Sequence, residues 1–293
     1  MEGLPQIKAN IHKPVDIAVF PYMMDHRFMG HAVLPAVEAM QVLAAFVKEA
    51  RPDANVTFLT EAKFAKFLYI KPGSEFIAAF ADISIYENGD VIASLITKTT
   101  SQKSRITRTK EHAAIRFPGS VMHIPQIPLD ITASLEGISF DIQAERIYSD
   151  LVLFGPAYHN IKGLLHVSYD GAIAEISSPI KPGNDENELL GSPFILDAAF
   201  HAACVWGQRF RRIVAFPVGV ERRMVFKQTG PDQLFFCRII PVMTESDFLV
   251  FDAWIYDSDG TLFEAVSGIQ MRDVSGGAMK PPQWVVADTG HGE

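Results

Sequence analysis

The sequence has few cysteines and no excess of positive charge. Cys204 and Cys237 are the only cysteines in 293 residues. Both lie in apolar runs, which favours reduced core thiols over disulfides or metal ligands. The formal net charge is −8, which argues against a general nucleic-acid binder because such proteins usually carry a basic surface.

Long apolar runs and the common cofactor motifs are also missing. No stretch of about 18 apolar residues occurs, so the sequence predicts no membrane span. The sequence lacks the basic N-terminus and following apolar run of a secretory signal. We therefore expect a cytoplasmic protein. A Gly-rich phosphate loop, a nucleophile elbow and a dinucleotide fingerprint are absent as well.

Apolar residues are nevertheless abundant, at 48% of the chain. This fraction and the length allow one large domain or two of ordinary size, each with a buried core. Phenylalanine (21 residues) far outnumbers tryptophan (3 residues). That composition suits packed sheet and helix faces or an apolar tunnel.

The first half of the chain predicts one apolar helix and a run of antiparallel strands. Residues 15–22 resemble a strand, and Pro35 is placed to open a helix over residues 36–49. Apolar residues surround this helix nearly completely, which is typical of a buried helix. Asn88-Gly89 predicts a tight hairpin between later strands.

The second half repeats this plan with longer loops. A short helix is predicted over residues 141–153, and Pro193 opens a second apolar helix. Asp170-Gly171 and Asp259-Gly260 predict tight turns between strands. Further strands are predicted at about 213–226, 233–242 and 247–256.

The architectural repeat divides the chain into four segments. We expect a first helix–sheet unit over residues 1–117 and a second over residues 141–274. Residues 118–140 contain three prolines and little periodicity, which predicts a surface linker. Residues 275–293 are rich in Gly and Pro and are expected to form a loose tail. A buried helix with a curled antiparallel sheet around it would bury both apolar faces of each unit.

His26, Gly30 and Pro35 form the first candidate site. A neutral histidine in a loop before a helix can remove a proton near physiological pH. Gly30 would let the backbone approach a substrate, and the helix N-terminus favours negative charge on a substrate oxygen. The alternative is a surface histidine with a glycine that only a turn requires. His31, beside Gly30, is expected to be structural.

Asp197 and His201 form the second candidate site. They are four residues apart and share one face of the predicted helix. An aspartate among apolar neighbours needs a partner or a proton, and burial is expected to raise the pKa of its carboxyl. Asp197 could then donate a proton while His201 orients it. The alternative is a buried Asp–His pair that only supports packing.

Other clusters of charged residues give weaker functional signals. Asp25, His26 and His31 match no known zinc spacing, and we predict no metal site. Basic clusters at residues 209–212 and 221–223 are interpreted as solvated faces, with phosphate docking as the alternative.

The order and spacing of these motifs resemble the dehydratase domains of polyketide synthases and multifunctional fatty acid synthases. Their motif His-x-x-x-Gly-x-x-x-x-Pro matches "HRFMGHAVLP" from His26 to Pro35. Their motif Asp-x-x-x-Gln/His matches "DAAFH" from Asp197 to His201. "LVLFGPAYHNIKGL" is similar to a third motif, Gly-Tyr-x-Tyr-Gly-Pro-x-Phe, although Phe154 stands where the family often has tyrosine.

The resemblance implies an α+β double hot-dog fold, in which two helix-wrapped antiparallel sheets lie side by side. It further implies that His26 removes the α-proton of a 3-hydroxyacyl thioester, that Asp197 protonates the departing hydroxyl, and that Gly30 polarises the thioester carbonyl. His201 would orient Asp197. Five residues around the motifs are expected to bind substrate: Pro35, Phe154, Gly155, Pro156 and Tyr158.

The function implied is dehydration of a 3-hydroxyacyl thioester to a 2-enoyl thioester in polyketide or fatty acid biosynthesis. No metal or redox cofactor is expected, and the substrate would be carried on phosphopantetheine of an acyl carrier protein or on coenzyme A. A homodimer is a possible assembly. Alternatives that keep the site are an enoyl hydratase, a double-bond isomerase or an oxa-cyclase. A non-catalytic acyl-binding module is an alternative of another class.

Overall fold

The computed structural model describes residues 6–100, 107–121, 123–180, 188–244 and 248–286. The first half of the chain contains one long helix, α1, over Ala36–Ala50. Its strands are β1 Ile7–Ala18, β2 Arg27–Phe28, β3 His31–Ala32, β4 Phe58–Lys63, β5 Phe76–Tyr86, β6 Val91–Thr100 and β7 Thr107–Phe117.

The second half contains a long helix of its own, α3, over Pro193–Arg211. A short helix, α2, covers Ala144–Arg146 and continues as a wider π-turn over Ile147–Leu151. The strands are β8 Phe140–Gln143, β9 Ile161–Ser168, β10 Gly171–Ser177, β11 Phe216–Val225, β12 Leu234–Thr244, β13 Phe248–Tyr256 and β14 Leu262–Arg272.

Twelve of the described strands form one antiparallel sheet. Their order is β1-β5-β6-β7-β4-β11-β14-β13-β12-β10-β9-β8, while β2 and β3 form a separate small hairpin. Strands of the first half and strands of the second half therefore occupy opposite ends of the sheet. The halves join edge to edge where β4 pairs with β11, so neither sheet leaves an unpaired edge at the junction.

Each long helix packs against the sheet of its own half, and the two helices also contact each other. Met40, Leu43, Ala44 and Val47 of α1 are completely buried. Full burial of a Met or Leu side chain contributes about 1.5–3 kcal/mol, so this face fixes the helix in its sheet. The structure confirms the two proline-opened apolar helices, with Pro35 as the residue before α1 and Pro193 as the first residue of α3.

Two expectations about local structure need correction. The short helix predicted over residues 141–153 is present but shorter, because α2 and the π-turn cover residues 144–151 and β8 takes residues 141–143. Residues 275–286 of the expected loose tail are packed: Val285 is completely buried, and its carbonyl oxygen accepts a 3.0 Å hydrogen bond from Arg209. The rest of the tail, residues 287–293, lies outside the described residues.

The interpretation of residues 221–223 as a solvated basic face is wrong for Arg223. Its guanidinium is buried and donates two hydrogen bonds, of 2.7 and 3.0 Å, to the carboxylate of Glu264. This bidentate geometry compensates two charges that would otherwise be costly to bury. Arg223 therefore belongs to the core, while the two cysteines are free and buried as predicted.

Candidate functional site

His26 lies in a loop that two local features hold in shape. The loop follows a 3-10 turn over Pro21–Asp25 and precedes the β2–β3 hairpin. Met29 and Gly30 form the tip of this hairpin with φ angles of 47° and 83°. Positive φ at both tip residues is the geometry of a type I′ turn, in which glycine is favoured. Gly30 is thus explained by the turn, and it also lines the cavity described below.

The hydrogen bond of the His26 ring determines which of its nitrogens is basic. Nδ1 lies 3.2 Å from the carbonyl oxygen of Val33. A carbonyl can only accept, so Nδ1 carries the hydrogen and Nε2 keeps a free lone pair. Phe154 and Tyr158 hold the ring from two sides, with centroid distances of 4.3 and 5.1 Å.

Burial lowers the pKa of His26 below its ordinary value of 6.5, although the negative charge of Asp197 acts in the opposite direction. Desolvation disfavours the charged imidazolium, which explains the sign. The ring is therefore neutral at physiological pH, and Nε2 can accept a proton.

Asp197 and His201 lie on the buried face of α3, one turn apart. Both residues are less than 5% exposed. Oδ2 of Asp197 lies 2.9 Å from Nε2 of His201, and Oδ1 lies 3.9 Å from Nε2 of His26. The structure thus brings together three residues that the two sequence motifs had placed 171 positions apart.

The expected direction of the Asp197 pKa is wrong. Burial does raise the pKa of this carboxyl, but attraction to His201, its contact with that ring and attraction to His26 lower it more. The net effect is a pKa below the ordinary value. Asp197 is therefore a carboxylate in the resting site, and any proton that it donates has to reach it during the reaction.

Asp25 links the His26 loop to the second half of the chain. Its backbone oxygen accepts a 2.8 Å hydrogen bond from Gly155, and its carboxylate accepts a 3.0 Å bond from the backbone of Ala157. A Cβ atom at position 155 would lie 2.3 Å from Cγ of Asp25. Gly155 is therefore required by the close approach of the two segments, and this contact fixes the residue directly before His26.

The three site residues face a cavity of about 880 Å³. Apolar side chains of α3, β14 and the C-terminal segment form one part of its wall, among them Phe200, Cys204, Met271 and Met279. Burial raises the pKa of the Cys204 thiol to about 11, so this cysteine is an unreactive apolar wall residue. The composition of the wall suits an acyl chain.

The cavity opens to solvent beside a group of cations. Arg27, Lys66 and Lys110 line it and are exposed, together with Tyr69, whose side chain is half exposed. We call these four residues the cavity mouth. The mouth is locally basic in a chain whose formal net charge is −8.

The expected substrate-binding residues separate into two groups. Phe154 lines the cavity, as Gly30 does, whereas Pro35, Gly155, Pro156 and Tyr158 do not. Gly155 and Tyr158 instead hold the His26 loop and ring, and Pro35 precedes α1. His31 is exposed, with its ring 5.9 Å from that of Tyr69.

Sequence reasoning weighed Asp25 only as a metal ligand and missed its contacts with the second half, and it missed Tyr148 altogether. Asp25 had a weak signal, since it directly precedes His26. Tyr148 had none, because its contact with His201 spans 53 positions. In the described residues no group of three His, Cys, Asp or Glu side chains is arranged to hold a metal ion, and no helix there is long and apolar enough to cross a membrane.

Comparison with known families gives one match to the chain. A family model described as the polyketide synthase dehydratase N-terminal domain matches residues 141–281. These residues include Asp197 and His201 and the second helix–sheet unit. A search of curated protein sequences found no match.

Solved structures resemble nearly the whole chain. The dehydratase domain of a mycocerosic acid synthase-like polyketide synthase has 18% identity and a TM-score of 0.71, with 92% of this chain and 94% of that chain covered. The dehydratase domain of the CurJ module of curacin polyketide synthase has 16% identity and a TM-score of 0.71, with 90% and 91% covered. The dehydratase domain of PpsC from Mycobacterium tuberculosis, solved in complex with C12:1-CoA, has 16% identity and a TM-score of 0.67, with 90% and 94% covered.

The structural similarity confirms the predicted double hot-dog fold. The family match and the structural matches agree on the same kind of domain, and the match of the family model covers the segment that carries the Asp197 motif. Residues 141–281 are similar to the polyketide synthase dehydratase family, and the chain as a whole has the fold of the solved dehydratase domains.

Proposed function

We propose that the chain is a dehydratase that converts a 3-hydroxyacyl thioester into a 2-enoyl thioester and water. One observation carries this proposal. A basic histidine nitrogen from the first half and a carboxylate from the second half lie 3.9 Å apart at the wall of one largely apolar cavity. Elimination of water needs such a pair, because a proton leaves C2 while the hydroxyl on C3 needs one.

His26 is the general base of this reaction. Its Nε2 accepts the proton from C2 of the substrate, which is acidified by the thioester carbonyl. Neutral imidazole is the form present at physiological pH, because burial lowers the pKa of His26. A positioned general base contributes about 10²–10⁴-fold to the rate.

Asp197 delivers a proton to the leaving oxygen. The carboxylate has no proton of its own in the resting site, so it receives the proton that His26 has taken from C2. The electron pair left at C2 forms the double bond to C3, the C3–O bond breaks, and the oxygen leaves as water. Both side chains then return to their starting protonation states, and no further reactant is needed.

The hairpin tip and the first turn of α1 supply the surroundings of the thioester carbonyl. Gly30 and Ala36 line the cavity on the His26 side. The N-terminus of α1 has a partial positive charge, which stabilises negative charge that develops on the carbonyl oxygen.

The substrate is presented on phosphopantetheine of an acyl carrier protein or on coenzyme A, in polyketide or fatty acid biosynthesis. The apolar wall accommodates the acyl chain, and the cationic mouth suits the phosphate groups of either carrier. A solved relative contains an acyl-CoA, which supports an acyl thioester as the substrate class.

Mass spectrometry of 3-hydroxyacyl thioesters mixed with the protein tests the proposal. We expect loss of one water and the appearance of a conjugated enoyl product, which also absorbs in the ultraviolet. Only isomerised or cyclised products would favour the alternative activities of this fold. An unchanged substrate, with binding still detectable by calorimetry, would indicate a non-catalytic acyl-binding module.

A further inference from the structure

Tyr148 is a buried residue that the reaction as proposed does not use, and it contacts His201, the ring beside Asp197. It lies in the π-turn after α2 and is 6% exposed. Its ring stacks on His159 with a centroid distance of 4.3 Å. Its hydroxyl lies 3.4 Å from Nδ1 of His201, on the opposite side of that ring from Asp197.

The partners of the Tyr148 hydroxyl determine the direction of this contact. The backbone N–H groups of Asn160 and Ile161 both donate to the hydroxyl oxygen, at 3.0 and 2.9 Å. Two donors occupy the two lone pairs of a hydroxyl oxygen. Its hydrogen remains available, and within hydrogen-bonding distance it has Nδ1 of His201 as an acceptor.

We propose that Tyr148 is a positioning residue that fixes the tautomer of His201 and thereby holds Asp197 in its reactive form. With Tyr148 donating to Nδ1, the only ring hydrogen of a neutral His201 is on Nε2, which lies 2.9 Å from Oδ2 of Asp197. The proposal rests on the dehydratase function, because it assigns a role to Asp197 in that reaction.

The two carboxylate oxygens of Asp197 then have different partners. A hydrogen bond from Nε2–H of His201 to Oδ2 favours the ionised form of Asp197, since hydrogen bonds to a charged form stabilise it. Oδ1 then remains directed to His26 and the cavity. The His201–Asp197 contact is close but poorly aligned as a hydrogen bond, and such contacts often tighten only when substrate binds.

This arrangement needs His201 as a neutral relay with one acceptor and one donor, and it does not need a positive charge at that position. Glutamine also offers an acceptor oxygen towards Tyr148 and an N–H towards Asp197. Leucine has a similar volume but offers neither. The two substitutions therefore separate hydrogen bonding from packing and from charge.

The first experiment compares His201→Gln with His201→Leu under steady-state kinetics. We expect the Gln variant to retain most of the wild-type kcat. The Leu variant should lose roughly 10- to 100-fold in kcat with little change in KM, as expected for a lost hydrogen bond to a charged group. Equal loss in both variants would overturn the proposal, because an imidazolium or the ring itself would then be essential.

Tyr148→Phe keeps the ring stacked on His159 and removes the hydroxyl. We expect a lower kcat in the wild-type background and no further loss in the His201→Leu background, since the relay is already broken there. A further loss of the same size in the His201→Leu background would contradict a role through His201.

Histidine nitrogen NMR tests the tautomer without any activity. In ¹⁵N-histidine-labelled protein, the signal pair that disappears in His201→Gln identifies His201 among the nine histidines. We expect a neutral ring protonated on Nε2. A ring protonated on Nδ1, or on both nitrogens, would overturn the proposal even if Tyr148→Phe does not fold. A wild-type protein that has the expected tautomer but removes no water would refute the dehydratase function and leave the tautomer assignment intact.

Discussion

The two long helices have the same place in their halves but carry different chemistry. If Pro35 is aligned with Pro193, the positions of Asp197 and His201 in α3 correspond to Ala39 and Leu43 in α1. All four residues are buried, but Ala39 and Leu43 are apolar, whereas Asp197 and His201 present ionisable groups to the cavity. The repeated architecture thus provides two equivalent scaffolds, and only the second places ionisable groups at this point of the helix.

The polar residues of α1 have a different use. Tyr22 donates a 2.9 Å hydrogen bond to Glu38. The side-chain amide of Gln41 donates to the carbonyl of Gly191 and accepts a bond from the backbone of Leu190. Gln41 therefore attaches α1 to the segment just before α3. Gln41 of α1 thus stabilises the assembly of the halves, while Asp197 and His201 of α3 serve the cavity.

The largest expected effect concerns the groups assigned to proton transfer. Asp197→Asn keeps the shape of the side chain but cannot relay a proton, and His26→Ala removes the base. We expect each to lower kcat by about 10²–10⁴-fold while circular dichroism remains unchanged. His31→Ala is the matched control and should retain most of the activity. Equal losses of kcat in His26→Ala and His31→Ala would contradict the assignment of His26 as the base.

The pH profile gives the next largest effect. The account needs neutral His26 and ionised Asp197, and both pKa values lie below the ordinary ones. We therefore expect kcat/KM to be constant near neutral pH and to fall only below about pH 6.5, approaching tenfold per unit as His26 becomes protonated. If kcat/KM decreased from pH 6.5 to pH 8, Asp197 would have to carry its own proton in the free enzyme.

Gly155→Ala tests the connection between the two halves near the site. Its Cβ would overlap the side chain of Asp25, so we expect a loss of about 1–3 kcal/mol in the free energy of unfolding and a lower kcat because His26 moves. Gly230→Ala is the control, since a Cβ there meets only the flexible side chain of Gln233. Denaturant unfolding and kinetics measure both effects. Unchanged stability would mean that the contact is not close.

Gln41→Leu tests the structural role of α1 and should have the smallest effect on turnover. It leaves the Gly191 carbonyl and the Leu190 N–H without their partner, which costs about 1–3 kcal/mol of stability. We expect kcat of the folded protein to remain near wild type. A large loss of kcat without a loss of stability would assign this face of α1 to the reaction.

Local patterns predicted the fold elements and the candidate residues well. The two proline-opened helices and the Asn88-Gly89 hairpin depend on nearby residues, and the structure contains all of them. The His26 and Asp197 motifs were recognisable because their spacing is short. The composite cavity itself required the β4–β11 junction, which no local pattern specifies.

Other features depend on contacts that the sequence does not encode locally. Asp25 meets Ala157 across 132 positions, so Gly155 resembled a substrate-binding residue and not a packing requirement. The direction in which the pKa of Asp197 shifts depends on two histidines, one of them from the other half of the chain. Burial alone gave the wrong direction, because attraction to these rings outweighs desolvation.

The central claim is that one site, composed from both halves, removes and delivers one proton in a single elimination. Kinetics of His26→Ala, Asp197→Ala and the double variant with a 3-hydroxyacyl thioester test it most directly. Residues that act as a unit have strongly non-additive effects. We predict that the double variant is little slower than the slower single variant. A loss in the double variant equal to the product of the two single losses would contradict the shared site.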